Sequence, residues 1–116
     1  MSVKLSDPLA VFVAAVVRQF EFIAQGDARN GNNEARKYIA AARTLLSGGK
    51  TSIDRFATLL LHDHDDVRAM AAAYLLKERT DAAVAALKPI AAGRGLSALG
   101  AQMTLARYER GDLEIK

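Results

Sequence analysis

The densest group of side chains able to do chemistry in this sequence is the run His62-Asp63-His64-Asp65-Asp66. Imidazole and carboxylate groups bind divalent metals, and a hydrolytic metal centre needs about three converging protein ligands plus an open position. The sequence contains only two histidines, and both lie in this one turn. They cannot supply the ligands from separate helices that the His-Asp phosphohydrolases use. His62, His64 and Asp65 are therefore weak metal candidates, and a metal-dependent phosphohydrolase is a distant alternative.

The segment 47–51, Ser-Gly-Gly-Lys-Thr, ends like a phosphate-binding loop, in which glycine amides and a lysine contact phosphates. The motif requires a glycine where this chain has Thr44, and it requires a preceding strand, whereas residues 38–46 have helical periodicity. No serine has glycine two residues away on both sides, as a nucleophile elbow requires. We therefore expect no cofactor and no catalytic residue, and we predict that the protein is not an enzyme.

The composition favours a single domain in a reducing compartment. A chain of 116 residues, 51% of them apolar, is one domain long and can build a core. The absence of cysteine suits the cytoplasm, which is the expected location. The longest uninterrupted apolar run, Leu9 to Val17, is less than half of the roughly 20 residues that cross a bilayer, so we expect no membrane span.

Helical periodicity and capping signals predict an all-α fold of about six helices, and no segment alternates long enough to indicate a strand. Asp7 and Pro8 start the first helix, which runs to about Gln25. The turn formers at 27–33 predict a loop, and the second helix then extends from about Asn33 to the glycines at 48 and 49.

The second half of the chain is predicted to contain four further helices. Their expected N-caps are Thr51 for the third, Asp65 or Asp66 for the fourth, which begins at Val67, and Thr80 for the fifth. Pro89 lies inside the fifth helix and should bend it. The sixth helix is expected at about 97–110, with Gly111 as its terminating residue.

The apolar and small residues of the second half resemble the helix, turn, helix of HEAT repeats. The matching positions are Leu59, Leu60, His62, Val67, Arg68, Ala71, Ala72 and Leu75. Together with Ala83, Leu87, Ile90, Ala91, Ala101, Met103, Thr104, Leu105 and Gly111, the pattern is similar to a small bacterial family of uncharacterised HEAT-like domains.

The resemblance implies a right-handed α-α superhelix of antiparallel helix pairs whose surfaces bind partners. Residues 1–116 would then form one helical-repeat domain with pairs at 7–47, 51–79 and 80–111. It also implies a structural role for Arg68, which would pair with an acid of the preceding turn, either Asp63 or Asp65.

The first helix is apolar almost all round, so one buried face cannot hide all of its large side chains. Phe12, Val17 and Phe22 lie outside the main stripe and are candidate partner-binding residues. The alternative is that these residues only complete the core. The function that we favour is a protein-interaction module with an unidentified protein partner, which includes self-association as a homodimer.

The only basic region of the chain is residues 29–55, where six cations face two acids. Arg29, Arg36, Arg43 and Lys50 form a stripe that could follow phosphates. Aromatic side chains for stacking bases are missing beside it, and the surplus charge is small. Nucleic-acid binding is therefore ranked below protein binding.

Overall fold

The computed structural model describes residues 7–111, which form six α-helices and one short 3₁₀ turn and contain no strand. The all-α prediction is confirmed. The elements are α1 (Pro8–Ala24), α2 (Ala28–Ser47), α3 (Lys50–Ala57), the 3₁₀ turn (Thr58–Leu61), α4 (Asp65–Leu75), α5 (Thr80–Ala91) and α6 (Leu96–Arg110). Within this part of the chain, no helix combines the length and the apolar character that crossing a membrane requires.

The chain divides into two compact units, Met1–Phe56 and Ala57–Lys116. The first unit contains α1, α2 and nearly all of α3, and the second contains the 3₁₀ turn, α4, α5 and α6. The boundary falls inside the helix pair predicted at 51–79. The superhelix and the single repeat domain stay predictions.

Local sequence signals fix the ends of α1 as predicted. The Asp7 carboxylate accepts a hydrogen bond from the Leu9 N–H at 3.1 Å, and Pro8 occupies the first turn, where a missing N–H costs nothing. Gly26 follows the helix with a φ of 78°, which a residue with a side chain rarely adopts.

The loop predicted at 27–33 is wrong, because α2 begins at Ala28. Asp27 caps the helix: its carboxylate accepts the Asn30 N–H at 3.1 Å and the Asn30 side-chain amide at 2.8 Å. These two bonds lower the pKa of the Asp27 carboxyl. Gly31 is a packing residue rather than a turn former, since a Cβ there would lie 3.0 Å from Cδ1 of Ile23 in α1.

The core of the first unit is aromatic. Phe12 of α1 is fully buried and meets Tyr38 and Phe56 edge to face, with ring centroids 5.9 Å and 5.0 Å away. Two polar contacts hold α3 in this unit. The Ser52 hydroxyl donates to the Leu45 carbonyl at 2.6 Å, and the Arg55 guanidinium lies 3.6 Å from the carboxylate of Asp7.

The second unit has a core rich in alanine, built by the mutual packing of α4, α5 and α6. Small side chains let helix backbones approach closely, and leucines fill the remaining space. Its buried residues are Leu59, Leu60, Val67, Ala71, Ala72, Leu75, Leu76, Ala83, Leu87, Ile90, Ala98 and Ala101. The Gln102 side-chain amide also donates to the Ala91 carbonyl at 2.8 Å and so joins the end of α5 to α6.

Two predicted N-caps are wrong in position. Thr51 lies inside α3, which already begins at Lys50. Thr80 is the first residue of α5, and its hydroxyl donates backwards to the Leu76 carbonyl at 2.6 Å rather than accepting from its own helix. Gly111 is confirmed as the residue that ends α6, with a φ of 75°. Pro89 lies inside α5, and the bend expected there stays a prediction.

Two glycines of the second unit should respond oppositely to alanine. Gly95 precedes α6 with φ 91° and ψ −169°, a conformation close to glycine-only, so Gly95→Ala should lower the free energy of unfolding by about 1 kcal/mol or more. Gly100 lies inside α6 with open space around its missing Cβ, so Gly100→Ala should raise it by about 0.5–1 kcal/mol. Urea unfolding of both variants tests this pair, and a loss at Gly100 would contradict it.

Candidate functional site

The turn between the 3₁₀ turn and α4 holds both histidines, and each uses its Nδ1 atom as a backbone cap. The Nδ1 atom of His62 accepts the His64 N–H at 3.0 Å, and the Nδ1 atom of His64 accepts the Asp66 N–H at 3.3 Å. Each ring therefore supports the backbone of the turn through one of its two nitrogen atoms. Within residues 7–111, no three His, Asp or Glu side chains form a group able to hold a metal ion.

His64 is the N-cap of α4, which corrects the prediction that Asp65 or Asp66 has this role. The helix begins at Asp65, two residues before Val67, so both carboxylates fall in its first turn, where the helix dipole favours negative charge. Burial raises the pKa of the Asp66 carboxyl, with a smaller raising effect from Asp65, while the nearby His64 lowers it.

Arg68 braces this turn from the first part of α4. Its guanidinium donates to the His62 carbonyl at 2.7 Å and to the Asp63 carbonyl at 3.3 Å, and it forms an ion pair with Asp65. Of the two acids expected as partners of Arg68, Asp65 provides its side chain and Asp63 provides only its backbone carbonyl. One planar guanidinium can bind several oxygens at once because its five N–H groups have a fixed geometry.

Arg68→Ala should lower the free energy of unfolding by about 1–2 kcal/mol, because two backbone carbonyls and a carboxylate lose a charged donor. Arg68→Lys should recover only part of this, since an ammonium lacks the planar fork. Arg43→Ala is the matched control: Arg43 is exposed, and its loss should change stability by less than about 0.5 kcal/mol. A melting temperature that stays unchanged in Arg68→Ala would contradict the role.

The segment that resembles a phosphate-binding loop connects two helices. Ser47 ends α2, Gly48 is its C-cap, and Gly49 turns the chain with a φ of 88°. The helix end predicted at these glycines is confirmed. Lys50 begins α3, and its ammonium lies 3.1 Å from the carboxylate of Asp54.

The candidate partner-binding residues of α1 divide into two groups. Phe12 is 0% exposed, so the prediction that it meets a partner is wrong: its ring belongs to the aromatic core of the first unit. Val17 and Phe22 are half-buried and keep some surface, and their contact with a partner stays a prediction.

Three members of the predicted basic stripe lie together on α2. Arg29, Arg36 and Arg43 are exposed and follow one another at intervals of seven residues, close to two helical turns, so they share one face. Lys50, the fourth member, lies on α3 and pairs with Asp54. We call the three arginines the α2 basic face.

An open groove runs along α5 in the second unit, with a volume of about 650 Å³. One wall is a run of small residues on α5, namely Ala82, Ala85, Ala86 and Pro89. Ala57, Leu60 and Leu61, from the end of α3 and the 3₁₀ turn, form another wall. Leu61 is 88% exposed, so this wall presents an apolar side chain to solvent. We call this feature the α5 groove.

Two arginines complete the lining of the α5 groove. Arg68 and Arg79 both contribute to it, and each already bonds within the protein, Arg68 to the turn and Arg79 to the Glu78 carbonyl at 3.3 Å. The groove therefore combines apolar walls with two guanidinium groups, of which that of Arg68 is already paired with Asp65. Such a surface suits a segment that presents apolar side chains together with a carboxylate.

A second apolar surface lies on α6. Leu96, Leu99 and Met103 are each more than half exposed and occur at helical spacing, away from the buried Ala98 and Ala101. We call these three residues the α6 outer face. Exposed apolar residues grouped on one helix face indicate an interaction surface, whereas single exposed ones are common on any protein.

Sequence reasoning missed the exposure of Leu61 and the burial of Glu34. Leu61 ends a run of three leucines, and a 3₁₀ turn with three residues per turn cannot direct three consecutive side chains to one core. The run of three leucines was the feature of the sequence from which an exposed leucine could have been predicted. Glu34 is nearly buried in the first unit with its carboxylate 3.2 Å from the Lys37 ammonium, and nothing in its local sequence indicates this.

Comparison with protein-family models, with curated proteins and with solved structures gave no match for this chain.

Proposed function

We propose that this chain is a non-enzymatic protein-interaction module that binds a segment of a partner protein in the α5 groove. The observation that carries the proposal is the groove itself: apolar walls open to solvent, with Leu61 88% exposed on one of them. The partner segment presents apolar side chains to Ala82, Ala85 and Leu61. It carries a carboxylate opposite Arg68 or Arg79.

Small residues on α5 support this function because they leave room for the backbone of an incoming helix or extended segment. Ala82 and Ala85 are exposed and have no large side chain to withdraw on binding. Burying one further leucine such as Leu61 contributes about 2 kcal/mol, so a few contacts of this kind suffice for a moderate affinity. A HEAT-like arrangement, in which helix pairs present a binding surface, agrees with this use of α5.

A cytoplasmic location is part of the proposal and is supported by the absence of cysteine. Self-association is the alternative use of the same apolar surfaces, through the α5 groove or the α6 outer face. Sedimentation of the purified chain separates the two: we expect a monomer when no partner is added.

Ala85→Glu tests the groove. It fills the space beside α5 and adds a charge that opposes a carboxylate on the partner, while glutamate remains favourable in an exposed helix position. Ala85→Gln fills the same space without the charge. Ala14→Glu, at an exposed alanine of α1, is the matched control.

The readout is affinity capture from the native host with cross-linking at a photoreactive residue that replaces Leu61 in the groove or Ala14 on α1. We expect a protein that cross-links from position 61 and not from position 14, and whose capture is lost in Ala85→Glu, weakened in Ala85→Gln and retained in Ala14→Glu. Capture of the same proteins by Ala85→Glu and the unaltered chain would refute the groove as the binding site.

A further inference from the structure

The exposed residues of α2, from Ala28 to Ser47, include four cations and no acid, and the carboxylate of the capping residue, Asp27, is bonded to Asn30. Helix α2 contains four cations and one acid, and that acid, Glu34, is nearly buried and pairs with Lys37. Arg29, Arg36 and Arg43 therefore remain without an acidic partner on the described part of the chain. Of the two acids in the basic region 29–55, Glu34 pairs with Lys37, and Asp54 pairs with Lys50, the member of the predicted stripe that lies on α3.

The other exposed side chains of α2 are mostly polar donors and acceptors, and none of them is a large apolar residue. Asn32, Asn33, Thr44 and Ser47 are all exposed on α2, and the Arg36 guanidinium already donates to the Asn33 side-chain oxygen at 2.6 Å. Arginine together with asparagine, serine and threonine is the set that contacts phosphate and sugar in nucleic-acid complexes. A helix that lies on a lipid surface carries large apolar side chains beside its cations, and this face has none.

The absence of exposed aromatic side chains on this face favours a nucleic-acid duplex over a single strand as the ligand. Tyr38 is the only aromatic residue of α2, and it is buried in the first unit. Single strands are held largely by stacking of bases on aromatic rings, so the lack of an exposed ring argues against them. It does not argue against a duplex, whose backbone is bound by charge and hydrogen bonds alone.

We propose that the α2 basic face binds the sugar–phosphate backbone of a nucleic-acid duplex without reading its sequence. The rise of an α-helix places Arg29, Arg36 and Arg43 about 10 Å apart and about 20 Å from first to last. A duplex presents one negative charge per about 1.7 Å of its axis, so each arginine meets a phosphate. This activity is separate from the α5 groove, which lies in the other unit.

Three phosphate contacts predict a weak and salt-dependent interaction. The logarithm of the binding constant should fall with the logarithm of salt concentration with a slope of about −2.7, so affinity drops about 40-fold between 50 and 200 mM salt. Fluorescence anisotropy with a short labelled duplex measures this slope, and DNA and RNA duplexes serve as two arms. We expect both duplexes to bind, because the proposed contacts are with the sugar–phosphate backbone and not with base edges.

Alanine variants identify which arginines contact the duplex. Arg36→Ala alone should reduce the slope by about 1, and replacing all three arginines should remove the binding. The matched control replaces three exposed cations of the other unit, Lys77, Arg94 and Arg107, and so changes the net charge of the chain equally. Because all the substituted residues are exposed, circular dichroism should show the same helix content in both triple variants.

If the control triple variant weakens duplex binding as much as the triple variant of the α2 basic face does, the proposal is overturned, since the effect would then come from net charge alone. Binding that is absent at 50 mM salt also overturns it. So does equally tight binding to phosphatidylserine vesicles or to polyglutamate, which would assign the face to a membrane or to an acidic protein. Failure of the α5 groove variants leaves these outcomes unchanged, so the two proposals are tested independently.

Discussion

Phe12→Ala is expected to lower the free energy of unfolding by about 3–5 kcal/mol, the largest effect of any single substitution argued for this protein. The ring is fully buried in the first unit, where it meets one ring from α2 and one from α3. Its removal deletes apolar area from the core, leaves a cavity, and breaks the edge-to-face contacts with Tyr38 and Phe56. Each such aromatic pair contributes about 0.5–1.5 kcal/mol beyond the area that it buries.

Phe22→Ala is the matched control on the same helix. Phe22 is half-buried, so we expect its loss to cost about 1–2 kcal/mol, clearly less than that of Phe12. Urea unfolding gives both free energies, and hydrogen exchange should show that protection in α1 and α2 falls most in Phe12→Ala. Equal costs for the two substitutions would contradict the difference in burial. If Phe12→Ala instead left stability unchanged and altered association, Phe12 would belong to a partner surface after all.

The contrast between these two phenylalanines shows why sequence patterns could not divide α1 into core and surface. The helix is apolar almost all round, so its own periodicity allows several inward faces. The choice between them depends on α2 and α3, which follow later in the chain. Asp7 with Pro8, and Gly111, need no such information, because they act within a few residues of themselves, and both predictions are confirmed. The N-caps predicted for α3, α4 and α5 are wrong, so a capping residue type alone does not fix where a helix begins.

At Gly31, local sequence gives a clear prediction that the tertiary structure overrides. Its sequence neighbours are turn formers, and local chemistry therefore predicts a loop. The structure uses the missing side chain for close contact with Ile23, and Asp27 supplies the cap that starts α2 before it. A tertiary contact overrides the local preference, as it commonly does for weak propensities.

The candidate sites also differ in whether a single stretch of sequence contains the information that forms them. The contact of Arg68 with Asp65 spans three residues, and a resemblance to HEAT repeats was enough to suggest it. The α2 basic face lies on one helix, and its spacing was visible in the sequence. The α5 groove is assembled from the 3₁₀ turn, α4 and α5, so no single stretch of sequence contains its shape. The exposure of Leu61 is a consequence of that assembly.

Ala83→Leu should destabilise the second unit by about 2–3 kcal/mol even though leucine is more hydrophobic than alanine. Ala83 is 0% exposed on α5, the helix that packs against both α4 and α6. The other buried positions of these helices include Ala71, Ala72 and Ala101, so the unit packs through small side chains. Three added carbon atoms at position 83 have no space unless α5 moves away from its neighbours.

Ala82→Leu is the control, one residue earlier on the same helix. Ala82 is exposed at the α5 groove, where a leucine finds open space, so its effect on stability should stay within about 0.5 kcal/mol. Both substitutions make the same chemical change at the same helix propensity, and only burial differs. Urea unfolding of the pair therefore measures how tightly α4, α5 and α6 pack. A neutral or stabilising Ala83→Leu would show that this core contains space that the described packing excludes.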